Sequence, residues 1–146
     1  TTGWGGGGAV APGSGATVAG RRGSEDGRLA VRGSPLADMG GQVGTPAVIY
    51  EAGTIRARYA MLDAAFGEMP HRICYAVKAN SNIAILRMLA AMGAGADIVS
   101  GGEMLRAMYA GFAPETIVFS GVGKSDDGLI AAIMASVGHI NVESLS

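Results

Sequence analysis

Residues 72–99 read RICYAVKANSNIAILRMLAAMGAGADIV: a short apolar run, a polar turn, an apolar-periodic stretch and a glycine, after which a second apolar run begins. Arg72 to Val77 has the length and side chains of a strand. Asn82 to Met92 has the period of a helix with Leu86 and Leu89 facing inward, and Gly93 stops it before a second strand, Ala96 to Val99. The same unit recurs downstream. Further strands are expected at Thr116 to Phe119 and His139 to Val142. Helices are expected at Gly102 to Tyr109, with Leu105 and Met108 or Tyr109 inward, and at Asp126 to Ser136, with Ile130, Ile133 and Met134 inward. Strand starts therefore fall about 20 to 24 residues apart, the spacing of consecutive βα units with short loops. Parallel strands joined in this way must be covered by helices, so the fold class is α/β. Two architectures share the pattern, an open doubly wound sheet and a closed eight-stranded (β/α)8 barrel. Four βα units cannot close a barrel, so on that alternative the chain stops about halfway; an open four-stranded sheet would be complete by itself.

Upstream, Ile55, Tyr59, Leu62 and Phe66 recur at helical spacing, which predicts a helix from a Thr54 N-cap to Gly67 with a face that needs a sheet to cover it. Ala47 to Tyr50 reads as a short strand entered through Gly44-Thr45-Pro46, and Ser34 to Val43 as one or two helical turns. Glu25 to Val31 reads as a turn followed by a strand. Composition changes near residue 24. Thr1 to Gly23 is mostly Gly, Ala, Ser, Thr and Val, with a run from Gly5 to Gly8 and a single aromatic, Trp4. So little apolar side chain cannot offset the entropy of ordering, and a disordered tail is expected. The tail begins without Met, which fits upstream sequence translated by accident, a cloning remnant or a natural extension alike. Pattern and composition divide the chain into a tail over 1–24, short strands and helical turns over 25–50, and βα units over 51–146.

The whole chain has 146 residues, a net charge of −1 and 49% hydrophobic residues. No charge bias favours nucleic acid or acidic lipid. No apolar stretch approaches the roughly 18 to 20 residues a membrane span requires. The one cysteine, Cys74, cannot form an internal disulfide, and no charged-then-apolar leader opens the sequence, as expected of a cytoplasmic chain.

The chemistry concentrates in Tyr75-Ala76-Val77-Lys78-Ala79-Asn80-Ser81-Asn82. An apolar strand delivers a lysine to its C-terminal end, where α/β folds place active sites. Flanking apolar residues would strip hydration from the amine, disfavour its charged form and make it a better nucleophile toward a carbonyl, as a Schiff-base lysine requires. The ordinary alternative is a strand-end lysine that reaches water. Gly101-Gly102 at a helix start is more readily a turn than an anion site. Gly121-Val122-Gly123-Lys124-Ser125 ends like a nucleotide-binding loop but lacks its first glycine, since position 118 is Val. Glu143 either faces the site or sits in a solvated turn. His71 and His139 stand at strand entrances, and Cys74 reads as a small buried apolar residue.

Lys78 and its flanking residues resemble the cofactor-lysine motif of the pyridoxal-phosphate-dependent decarboxylases that share their barrel with alanine racemase. Three further stretches match that family in order and spacing: Gly95-Ala96-Asp97-Ile98-Val99-Ser100-Gly101-Gly102-Glu103, Ile117-Val118-Phe119-Ser120-Gly121-Val122-Gly123-Lys124 and Ile140-Asn141-Val142-Glu143-Ser144. With Asp26-Gly27 and Gly44-Thr45-Pro46, the likeness spans roughly residues 25 to 146. Ser81-Asn82-Ile83 is unlike the alanine racemases, and Ala96 to Gly102 is unlike the ornithine-type enzymes. Both differences resemble the branch that converts meso-2,6-diaminopimelate to L-lysine and CO2.

The resemblance implies a partial (β/α)8 barrel of the alanine-racemase type, pyridoxal 5′-phosphate as cofactor, a Schiff base on Lys78 and an amino-acid substrate. It also implies that 25–50 contributes strands to a second domain and the approach to the barrel, and that 51–146 is the first half of that barrel. Asp97 and Glu103 match acidic positions near the lysine and cofactor. Asp97 can face the barrel interior, where a carboxylate would help control the protonation of Lys78, or it can be a turn residue; for Glu103 a first-turn acid favoured by the helix dipole is preferred. No metal is implied. The phosphate loop, the partner of the pyridine nitrogen and the substrate residues would come later in the chain, so the chain by itself is expected to be inactive, and the full-length enzyme to be a homodimer. Alternatives are a decarboxylase of the same family acting on ornithine, arginine or a carboxylated polyamine, and a non-catalytic βα binding module.

Overall fold

The structure, a computed structural model, describes residues 22–25 and 28–144 and divides into two compact units, Thr1–Ala65 and Phe66–Ser146. In the first unit, β1 (Arg22–Glu25) and β2 (Arg28–Val31) pair antiparallel, with Arg22 opposite Val31 and Glu25 opposite Arg28. The chain reverses at Arg32-Gly33, both at positive φ, and β3 (Ser34–Pro35) returns along the other edge of β2. Arg22, Gly23 and Ser24, from the stretch expected to lack order, are thus part of a hairpin, while the Asp26-Gly27 turn and residues 1–21 lie outside the described residues. Helix α1 (Leu36–Val43) ends where Gly44, at φ 84°, donates its N–H to the carbonyl of Gly40 at 2.8 Å.

Ala47 to Tyr50 does not form the expected strand. All four residues are exposed and none joins a ladder, and β-favouring side chains make a strand only against a neighbour. Helix α2 (Ala52–Ala65) starts three residues earlier than expected because Glu51, not Thr54, caps it: Glu51 Oε1 accepts the N–H of Gly53 at 2.8 Å and Oε2 accepts that of Thr54. Of the face expected to be covered, Leu62 and Phe66 are exposed.

The second unit holds a parallel four-stranded sheet in chain order: β4 (Cys74–Ala76), β5 (Gly95–Ile98), β6 (Ile117–Phe119) and β7 (His139–Ile140). Helices α3 (Ile83–Ala91), α4 (Gly101–Ala110) and α5 (Asp126–Met134) connect the strands. Ladder pairing rather than composition sets the strand ends. Val77, for example, already turns into the 3-10 segment Val77–Ala79.

One sheet face carries the core. Ala96, Ile98, Ile117 and Phe119 alternate along β5 and β6 and are buried, and Leu86 and Leu89 of α3 are buried as expected. Burying each of Leu86, Ile98, Ile117 and Phe119 is worth about 1.5–3 kcal/mol. On α4 and α5 the expected faces are wrong. Leu105 and Tyr109 are exposed, and Met104, Ala107 and Ala110 are buried; Ile130, Ile133 and Met134 are exposed, and Gly128 and Ala132 are buried. Small residues allow these helices to lie close to the sheet. A Cβ on Gly128 would already touch the Phe119 ring at 3.7 Å. The largest side chains mark the wrong stripe, because a one-residue error in phase rotates a helix by about 100°.

Candidate active site

The C-terminal ends of β4, β5 and β6 lead into three short loops, and the first carries Lys78. That loop is tied at several points. Tyr75 donates its hydroxyl to the carbonyl of Asn80 at 3.3 Å, Asn80 Oδ1 accepts the N–H of Asn82 at 2.9 Å, and Asn82 Oδ1 in turn caps α3 by accepting the N–H of Ala84 at 2.9 Å. Arg106 reaches over from α4 to the carbonyl of Ser81 at 3.3 Å. Lys78 itself is exposed, so the dehydration expected of it is not present in this unit. Only Val77 beside it is buried; Ala79 is open to solvent.

Asp97 lies on β5 opposite Ala76, and Cys74 lies opposite Gly95. Strand alternation puts Cys74, Ala76 and Asp97 on the face away from the helices, two residues short of Lys78. Asp97 Oδ1 is buried and has no hydrogen-bond partner among the described residues. An acceptor left in that condition costs about 1–3 kcal/mol unless a ligand or water meets it. Cys74 on the same face is half-buried. Burial pushes its thiol up from its ordinary value, the charge of Asp97 acts in the same direction, and Arg72 opposes both.

Glu103 has a structural task. Its Oε2 accepts the N–H of Val99 at 2.7 Å, while its own N–H donates to Ser100 Oγ at 3.2 Å, a capping box displaced by one residue. This agrees with a first-turn acid, and Gly101-Gly102 is simply the first turn of α4. Glu143 is exposed. His71 stacks on Phe66 with ring centres 4.4 Å apart, and His139 opens β7, away from the catalytic end.

Sequence reasoning missed the ties of the third loop. Lys124 donates to the carbonyls of Gly121 and Asn141, and Asn141 Nδ2 donates to Ser120 Oγ at 3.1 Å. The sequence pattern around Lys124 assigns this lysine no role. Its partners are backbone carbonyls, which no residue type marks in a sequence.

Residues 52–146 match the family described as "Pyridoxal-dependent decarboxylase, pyridoxal binding domain". The chain belongs to the pyridoxal-dependent decarboxylases. Diaminopimelate decarboxylase of Vibrio cholerae is 46% identical over 120 residues, covering 82% of this chain and 29% of that protein. Among solved structures, diaminopimelate decarboxylase of M. jannaschii in complex with L-lysine superposes with a TM-score of 0.77 at 33% identity, covering 84% of this chain and 30% of that one. The Helicobacter pylori enzyme, also complexed with L-lysine, gives 0.71 at 41% identity, covering 75% and 28%. The chain thus spans less than a third of the length of the curated relatives it matches. Its parallel sheet is part of an α/β barrel of the alanine-racemase type, and the open-sheet alternative falls away.

The family's cofactor is pyridoxal phosphate, and the side chains present suit such a group. On the strand face that leads to Lys78, the last residue of β4 is the small Ala76, paired with Asp97 of β5. There the unpartnered Asp97 Oδ1 offers an acceptor.

Proposed function

We propose that this chain is the N-terminal part of an enzyme that decarboxylates meso-2,6-diaminopimelate to L-lysine, with Lys78 holding pyridoxal phosphate covalently through Nζ. Its 46% identity to a diaminopimelate decarboxylase over most of its length carries the assignment. The L-lysine bound in the M. jannaschii and Helicobacter pylori structures is the expected product, which supports the substrate. Residues 25–50 contribute strands to a second domain and residues 51–146 form the first half of the barrel; the separate antiparallel sheet of β1 to β3 supports that division. The whole enzyme is a cytoplasmic homodimer. Among the described residues no helix is long and apolar enough to cross a membrane, which is compatible with this location.

When bound, the cofactor supplies a conjugated ring that takes up the electron pair left behind as CO2 departs. The residues of this chain anchor and orient. Lys78 stands past the end of β4 with its amine exposed, where it would hold the cofactor and could supply a proton from Nζ. Asp97 offers its unpartnered Oδ1 as an acceptor for an N–H on the same face. The ties from Tyr75, Asn80, Asn82 and Arg106 hold the lysine loop, so its amine does not have to be ordered anew at each turnover.

Borohydride reduction of the full-length protein with pyridoxal phosphate, followed by peptide mapping, is expected to tag Lys78. A tag on another lysine would remove the proposed anchor. A substrate panel of meso-diaminopimelate, ornithine, arginine and a carboxylated polyamine is expected to give turnover of the first; preference for another would move the enzyme to a different branch of the family.

A further inference from the structure

At the ends of β6 and β7 the ammonium of Lys124 is committed twice. It donates to the carbonyl of Gly121 in its own loop and, at 2.7 Å, to the carbonyl of Asn141 at the end of the neighbouring strand. Its Nζ also lies 5.7 Å from the centre of the Phe119 ring, on the last residue of β6. A second tie runs alongside, from Asn141 Nδ2 to Ser120 Oγ. Gly121 sits at φ 90°, where L side chains rarely go, and a Cβ there would meet Val99 at 3.5 Å. An ammonium has three donors, and bonds from a charged donor to carbonyls are stronger than neutral ones. Two of the three are met by backbone here, so Lys124 is not the free cation that its flanking glycines suggest.

We propose that Lys124 is a positioning residue that locks the loop from Ser120 to Ser125 onto the end of β7 and so fixes the shape of the catalytic mouth. This rests on the function proposed above, in which substrate enters at the C-terminal ends of the strands. A carbonyl-to-ammonium-to-carbonyl bridge joins two successive loops of that mouth without using a residue that touches the reacting atoms. Misplacing active-site groups by about 1 Å can cost on the order of 100-fold in rate, so loosening the bridge acts on turnover from a distance.

The test uses the full-length protein as wild type, Lys124→Met and Lys124→Arg. Hydrogen exchange read by mass spectrometry is expected to show protection lost in Lys124→Met over residues 119–126 and 140–144 and retained over α3 and β5. Lys124→Arg, which keeps its N–H donors, is expected to preserve most of that protection. In Lys124→Met, kcat/KM for meso-diaminopimelate is expected to fall about 10- to 100-fold, with the borohydride tag on Lys78 unchanged. Exchange as slow as wild type, or protection lost throughout the chain, would overturn the lock. A loosened loop with unchanged kcat/KM would overturn its part in positioning. Should Lys124→Met not fold, Lys124→Gln, which is shorter and uncharged but still polar, must loosen the same two stretches; no change there counts against the proposal. If the wild type itself does not act on meso-diaminopimelate, the proposed function fails, while the exchange experiment still decides the lock.

Discussion

Cys74 and Asp97 share one sheet face on adjacent strands, two register steps apart, and the charge of Asp97 acts on the thiol. Burial raises the thiol first, the Arg72 charge lowers it in part and the Asp97 charge raises it again, so the folded protein holds this proton to higher pH than the unfolded chain does. A thiol raised in this way withdraws stability as pH climbs past its unfolded value, and its thiolate is scarce near neutrality. Iodoacetamide is therefore expected to alkylate Cys74 more slowly in the folded protein than in the denatured chain at pH 8. Asp97→Asn should speed the folded reaction; an unchanged rate would mean that the carboxylate does not act on this face. At this scale the sequence was partly legible. Lys78 stands out because alternation brings it to a strand end, and the cap made by Glu103 follows from Ser100 three residues before it. The unpartnered oxygen of Asp97 and the bridge at Lys124 were not legible, since both depend on which backbone groups the fold brings near.

Among the elements, α2 owes its start to one carboxylate. Glu51 accepts from Gly53, from the backbone N–H of Thr54 and from the Thr54 hydroxyl at 2.6 Å, and it pairs with Arg32 at 2.9 Å. The Thr54 hydroxyl first and the Gly53 N–H next hold its pKa below the ordinary value of 4.5. A depressed carboxylate contributes stability that is present above its unfolded pKa and is lost as pH falls through the folded one. The first turn of α2 is thus expected to fray below pH 4.5, seen as faster amide exchange at Gly53, Thr54 and Ile55. Glu51→Gln should show comparable fraying already at neutral pH; exchange there identical to wild type would mean that the charge contributes nothing to the cap. The sequence marks helix existence well and helix facing poorly. Apolar period finds α3, α4 and α5, but on α4 and α5 the inward stripe is Ala, Gly and Met, while bulkier Leu105, Tyr109, Ile130 and Ile133 point out.

For the whole unit, the succession of four βα units was legible, but the spatial order of the strands, sequential from β4 to β7, was not, because a doubly wound sheet would reverse it part-way. Barrel and open sheet were not separable by spacing, since both use the same repeating unit; only likeness to relatives of known structure separates them. How closely the strands lie is set by a residue with no side chain. Gly95 sits on β5 between β4 and the approach to β6, and a Cβ there would fall 2.5 Å from the carbonyl oxygen of Thr116, 2.7 Å from Cys74 Sγ and 3.0 Å from Arg72 Cδ. The two side chains can move aside, but the Thr116 carbonyl belongs to backbone and can retreat only by shifting β6. Gly95→Ala is therefore expected to destabilise the protein by about 1–3 kcal/mol, as overpacking does, and to lower its urea midpoint. Gly102, in the first turn of α4, offers the contrast: a Cβ there meets nothing nearer than Ser100 Oγ at 3.9 Å. Gly102→Ala should be neutral, or stabilising by up to about 1 kcal/mol, through the entropy that glycine loses in a helix. Equal urea midpoints for the two variants would show that strand spacing does not depend on the missing Cβ at Gly95, because a general effect of replacing glycine would act on both alike.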